Sequence, residues 1–176
     1  MVRYKIIIEY DGTNFVGWQR QVSGLGVQQA IEDSIKKFSG ETVILFGAGR
    51  TDSGVHALGQ VAHFDLKRNS DANTVVNALN FYLRPRAISV LAAEPVDNSF
   101  DARRSAKQRS YVYRIINRRA PLSLDRGHSW LVPIELDHSA MQEAAKVLIG
   151  KHDFTTFRAT RCQANSAIKT LDELNV

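Results

Sequence analysis

The sequence predicts an α+β fold. Three observations carry the prediction: short apolar runs of strand character, longer segments whose apolar residues recur at helical spacing, and turn or cap residues between them, in the order β-α-β-β-α-β. Residues 4–10 form the first strand around Ile6-Ile7-Ile8, and Asp11-Gly12 closes it as a turn. Val27, Ala30, Ile31, Ser34, Ile35 and Phe38 lie on one helical face, with Gly40 placed to stop the helix. Residues 43–46 read as a second strand and residues 59–65 as a third, in which Val61, His63 and Asp65 alternate with Ala62 and Phe64. A second helix is capped by Ser70 or Asp71, carries Val75, Val76, Leu79 and Leu83 on one face, and closes at Arg84-Pro85; residues 88–93 supply the fourth strand.

This order is the split arrangement of ferredoxin-like domains, an antiparallel sheet with two helices on one face. RNA-recognition modules share it, so the order alone does not assign a function. After Pro95 the pattern partly restarts. Residues 111–117 and 128–132 read as strands, Asp137 caps a helix carrying Met141, Ala144, Ala145 and Leu148, and Gly150 ends it. The expected organisation is a ferredoxin-like domain over residues 1–105 and the first part of a second one over residues 106–176. Residues 168–176 look like the start of another strand, so the second cycle is incomplete and a further segment is expected beyond it.

Composition narrows the partners. Lys and Arg outnumber Asp and Glu by 23 to 18, and a sequence pI near 9.5 points weakly to an anionic partner such as nucleic acid. Apolar runs are only a few residues long and the charged N-terminus lacks a following apolar region, so a cytoplasmic protein is expected. Cys162 is the single cysteine, which excludes an internal disulfide and a thiolate metal cluster. Five histidines, His56, His63, His128, His138 and His152, are scattered without metal-ligand spacing and read as structural or RNA-proximal.

The best candidate for chemistry is Gly49-Arg50-Thr51-Asp52-Ser53-Gly54-Val55-His56-Ala57, between the second and third strands. Glycines there allow a tight bend or a close ligand approach, which sets Asp52 at an exposed turn. Arg50 favours the ionised carboxylate by opposite-charge attraction, and its planar fork can also hold a phosphate or a base edge. That suits an anionic nucleophile. It equally suits an Asp that bonds its own backbone and stabilises a turn. A basic stretch with interleaved tyrosines, from Arg103 through Lys107 and Arg109 to Tyr111, Tyr113 and Arg114 and on to Arg118 and Arg119, can neutralise phosphates while a ring stacks on a base. The alternative is a solvated linker entering a strand whose Tyr111 and Tyr113 pack on one face. Asp153-Phe154-Thr155-Thr156-Phe157-Arg158 is a second aromatic and basic patch whose phenylalanines could equally be core.

Taken in order, Tyr10-Asp11-Gly12, Gly17-Trp18-Gln19-Arg20-Gln21, the run around Asp52, Gly59 to Phe64, Phe100-Asp101-Ala102-Arg103, Tyr111-Val112-Tyr113 and the patch around Phe154 resemble the tRNA pseudouridine synthase A family over nearly the whole chain. The resemblance implies an isomerase that converts uridine to pseudouridine at about positions 38 to 40 of the tRNA anticodon stem-loop, without metal or organic cofactor, acting as a homodimer. It makes Asp52 the nucleophile, Arg50 the residue linked with base flipping and Tyr111 the ring that stacks on the target uracil. Phe100, Asp101, Ala102, Arg103, Arg104, Arg119, Arg161, Cys162 and Gln163 match regions that contact tRNA. Arg104 and Ser110 depart from the family pattern, which often has an aromatic and a basic residue there. The family's further C-terminal segment supplies a basic partner for the aspartate and an apolar residue under the base. A non-catalytic RNA-binding module of the same fold is the alternative, and a ferredoxin-like protein binding some other anion is a third reading.

Overall fold

The computed structural model describes residues 1–158 and 166–176. The chain divides into two compact units, Met1–Val112 and Tyr113–Val176. The first contains β1 (Val2–Tyr10), α1 (Val27–Ser39), β2 (Phe46–Gly47), β3 (Ala57–Leu66), α2 (Ala72–Leu83) and β4 (Ile88–Val96). Its four strands form one antiparallel sheet in the order β2-β3-β1-β4, with the longest ladders at β1·β3 and β1·β4.

Alternation on the strands sorts the two faces of this sheet. Tyr4, Ile6, Ile8 and Tyr10 of β1, Ala62, Phe64 and Leu66 of β3, and Ile88 and Val90 of β4 are buried in one cluster with Val27, Ala30, Ile31 and Ile35 of α1 and Val75, Leu79 and Leu83 of α2. Each buried Val, Leu, Ile or Phe side chain among them contributes about 1.5–3 kcal/mol by leaving water. The helices begin and end where the sequence punctuates them. Asp71 caps α2 by accepting from Thr74 N at 3.1 Å, and α1 stops at Gly40, which adopts φ 76° and donates to Lys36 O.

One strand differs from expectation. Residues 43–46 pair with the sheet only at Phe46, because the polar groups of Leu45 bond to α1 instead of a strand: its N–H donates to Glu32 Oε1 at 3.0 Å and its carbonyl accepts from Gln28 Nε2 at 3.0 Å. Glu32 also accepts from Arg20 Nη2 at 2.7 Å, so this nearly buried carboxylate ties three segments together.

The second unit contains β5 (Ile115–Asn117), β6 (Trp130–Val132), α3 (His138–Lys146), β7 (Gly150–Asp153), a 3-10 turn (Thr155–Phe157) and β8 (Ile168–Leu171). Of the strand expected over residues 111–117, only the last three residues pair, in parallel with β6. Trp130 N donates to Arg114 O, the point at which the ladder begins. Asp137 caps α3 as expected, but the helix ends at Lys146 rather than running to Gly150. Two i→i+3 bonds, Leu148 N to Ala145 O and Ile149 N to Lys146 O, tighten the chain there. β7 pairs antiparallel with β8. Among the described residues no helix is long and apolar enough to cross a membrane.

Candidate active site

The loop between β2 and β3 is held along its length by hydrogen bonds from main-chain and side-chain groups. Ala48 N donates to Val61 O at 2.8 Å, Gln60 Nε2 to Gly49 O at 2.5 Å, and Trp18 N to Thr51 O at 3.0 Å. Ser53 Oγ and Gly54 N both donate to Phe15 O, at 3.2 and 3.4 Å. Nδ1 of His56 lies 3.1 Å from Gly12 N, from which it accepts when bare, and 3.1 Å from Asp11 Oδ1, to which it donates when protonated. Asp52 sits at the apex. The turn exists, closed by Val55 N donating to Asp52 O at 3.2 Å with Gly54 at φ 79°. The carboxylate takes no part in it: Asp52 is exposed, and among the described residues its side chain accepts no hydrogen bond.

The cradle beneath this loop is the segment from Tyr10 to Gln28. Phe15 and Trp18 are buried, and Val27 N and Gln28 N donate to Gly17 O and Trp18 O, fastening the segment to the start of α1. Two glycines let it approach the loop. A Cβ on Gly12 would lie 2.0 Å from Val55 O, and one on Gly17 would lie 2.7 Å from Thr51 O at a φ of 108° that favours glycine. Tyr10 closes the floor. Its ring packs on Trp18 at 6.1 Å and its hydroxyl lies 2.8 Å from Thr51 Oγ1, one residue before Asp52. Burial raises the phenol pKa above its usual value against the opposing effect of the Thr51 hydrogen bond, so Tyr10 stays protonated.

The motifs Tyr10-Asp11-Gly12 and Gly17-Trp18-Gln19-Arg20-Gln21, which the sequence marked as a turn and as part of the family resemblance but not as part of the site, support the loop. The signals that could have found them were the glycines placed beside aromatics on either side of Phe15.

The remaining candidates fall into groups. Arg50 is exposed, and Tyr111 is 76% exposed. Arg109 Nη2 donates to Ala48 O and to Arg103 O, both at 3.1 Å, and so joins the start of the Asp52 loop to the basic stretch. Within that stretch the predicted contact residues divide. Arg103 and Arg104 are exposed, whereas Ala102 is 2% exposed and Phe100 packs edge-on against His63 at 5.9 Å. The Asp101 carboxylate accepts from the backbone N–H groups of Arg103 and Arg104 at 2.9 and 2.8 Å, and the Arg104 bond is the main cause that lowers its pKa. Arg119 is exposed in the second unit. Arg161, Cys162 and Gln163 lie outside the described residues.

A family model described as tRNA pseudouridine synthase matches residues 6–103 and 144–176. The chain belongs to that family. Proteins named tRNA pseudouridine synthase A from Parvibaculum lavamentivorans, Paramagnetospirillum magneticum and Beijerinckia indica are each 56% identical to it over 176 residues, covering 100% of this chain and 72%, 69% and 68% of their own lengths. The family is one of isomerases that convert uridine in tRNA. The matched stretch contains the whole cradle, Arg50 and Asp52, and runs to Arg103.

For a pseudouridine synthase this geometry predicts a positioning role for Tyr10. Tyr10→Phe keeps the buried ring and removes the bond to Thr51, so it should lower stability by about 1 kcal/mol. It should also reduce kcat several-fold while leaving KM near the wild-type value. Steady-state kinetics on tRNA check this, and an unchanged kcat would remove Tyr10 from the support of Asp52.

Proposed function

We propose that the chain isomerises uridine to pseudouridine at about positions 38 to 40 of tRNA, with Asp52 as nucleophile. The observation that carries this reading is an exposed carboxylate that takes no part in bonding its own turn, on a loop whose backbone is clamped on both sides. An Asp serving only to stabilise the turn would direct its oxygens at the nearby N–H groups. In the isomerisation the N1–C1′ bond breaks, the uracil turns, a C5–C1′ bond forms, N1 gains a proton and C5 loses one. A carboxylate promotes this by attacking C1′, by adding to the base, or by acting as a base at the sugar. Each route requires a nucleotide flipped out of its stack, at an expense of a few kcal/mol. Arg50, two residues before Asp52, fills the vacated space, and the ring of Tyr111 receives the uracil. Arg103, Arg104 and Arg119 offer exposed cations for phosphates, consistent with the basic balance of the chain.

The same reading includes a ferredoxin-like first unit, supported by the β-α-β-β-α-β order and the antiparallel β2-β3-β1-β4 sheet. It includes a second unit of related design, a homodimeric assembly and a cytoplasmic location.

Because C5 loses its hydrogen, tRNA carrying 5-tritiated uridine reports turnover directly. Tritium release by the 176-residue chain supports the proposal. Absence of release, together with salt-sensitive tRNA binding, would overturn it in favour of an RNA-binding module. Tyr111→Phe should keep most of the rate and Tyr111→Ala should lower it by about 10-fold or more, the worth of one base–aromatic stack. Equal rates for the two variants would contradict the stacking role.

A further inference from the structure

On the face of the sheet away from the helices, the chain after β4 folds back over β1 and β3. Arg3 Nη1 donates to Asn98 O at 2.6 Å and to Phe100 O at 2.8 Å. At the centre of this contact is His63, 3% exposed, with Lys5 of β1 and Phe46 of β2 as its cross-strand neighbours. Its ring stacks on Phe46 at 5.1 Å and meets the edge of Phe100 at 5.9 Å. Its Nδ1 accepts a hydrogen bond from Ala102 N at 3.1 Å. That bond needs a bare nitrogen, so it forms only when Nδ1 carries no proton.

We infer that His63 is a positioning residue: as the neutral imidazole it latches residues 100–104 onto the sheet, and its protonation releases them. The inference rests on the proposed role of this segment in gripping tRNA, because Ala102 is the buried pivot from which Arg103 and Arg104 project into solvent. The latch also reaches the Asp52 loop, since Arg109 bonds to both Arg103 O and Ala48 O.

The surrounding charges leave His63 as the switching group. Facing it are Arg3 and Lys5 from β1, Asp65 from β3, Glu94 from β4 through its ion pair with Lys5, and Asp97 and Asp101 from the covering segment; Phe46 from β2 brings no charge. Asp65, bonded to Arg3, and Asp97 and Asp101, bonded to backbone N–H groups, all ionise below the usual carboxylate range. Burial first, and Arg3 second, lower the His63 pKa from 6.5. The folded state therefore binds the proton less well than the unfolded chain. The contribution of the latch is complete above pH 6.5 and is lost as pH falls through the lowered folded value.

Amide exchange and tRNA affinity, measured on the whole chain from about pH 7.5 downward to the acid limit at which the fold persists, test this. The protection factors of the Ala102, Arg103 and Arg104 amides should fall in acid, and the tRNA dissociation constant should rise about three- to tenfold, the worth of one hydrogen bond. A histidine acting only through its charge would do the opposite, since an added cation tightens RNA binding. His63→Asn places Oδ1 where Nδ1 stood and does not titrate, so it should retain the neutral-pH affinity and flatten both profiles. His63→Ala should resemble the wild-type protein in acid. Protection that is independent of pH in the wild-type protein, or that falls equally in His63→Asn, would overturn the latch. If protection falls while affinity holds, the latch stands and the tRNA-contact role of residues 100–104 fails.

Discussion

Asp52→Ala is expected to reduce tritium release from tRNA by on the order of 10⁴-fold or more, because a reaction that passes through an attacking carboxylate has no substitute group in the loop. The same variant should bind tRNA within about twofold of the wild-type protein, since phosphate contacts carry most RNA affinity. Its thermal midpoint should also be nearly unchanged. That last expectation follows from the geometry: the turn is closed by Val55 N on Asp52 O, and the exposed carboxylate contributes no hydrogen bond among the described residues. Single-turnover kinetics, filter binding and thermal unfolding separate the possibilities. A variant that unfolds would make Asp52 a turn residue, and one that retains turnover would exclude it as nucleophile.

Gly12→Ala is expected to lower kcat by at least about 10²-fold by pushing the Asp52 loop away from the segment that supports it. The added methyl would stand 2.0 Å from the carbonyl oxygen of Val55 and 2.6 Å from its carbon, both backbone atoms that cannot rotate aside. Relief requires the loop and the 11–18 segment to part by roughly 1 Å, a displacement large enough to spoil an attack geometry. Phe15 and Trp18 of the displaced segment belong to the buried core, so the thermal midpoint should drop, while the helices and the sheet that make up the rest of the cluster should keep the circular dichroism in its wild-type form. Gly49→Ala is the control within the same loop, because a Cβ there meets nothing within 4 Å. Its kcat should stay within about threefold of wild type. Equal kcat values for Gly12→Ala and Gly49→Ala would show that the cradle does not set the position of Asp52.

Much of the first unit was legible residue by residue. The helical face from Val27 to Ile35 and the alternation on residues 61–65 are local patterns, and each followed from burying one side of an element. The β2 strand was misjudged because its competitor is distant: Glu32 and Gln28, a helical turn apart on α1, take the polar groups of Leu45 that a neighbouring strand would otherwise use. β7 was not foreseen, since Gly-Lys-His-Asp has none of the branched or aromatic residues of a strand and is paired only because β8 supplies the ladder.

The candidate site shows the same division. By itself the sequence determined the α+β class, the helical and strand faces, the basic character and the family, because each is written in residue types at fixed spacing. It also singled out Asp52: the residues around it left a nucleophile and a turn open, and the resemblance to the family chose the nucleophile. Tertiary structure decided that the turn closes through its backbone and leaves the carboxylate exposed, that Gly12, Gly17, Trp18 and Tyr10 form a cradle beneath it, and that His63 meets Ala102 across 39 residues of chain. The physical reason is that a hydrogen bond or a close contact belongs to two segments at once, and only folding settles which two segments meet.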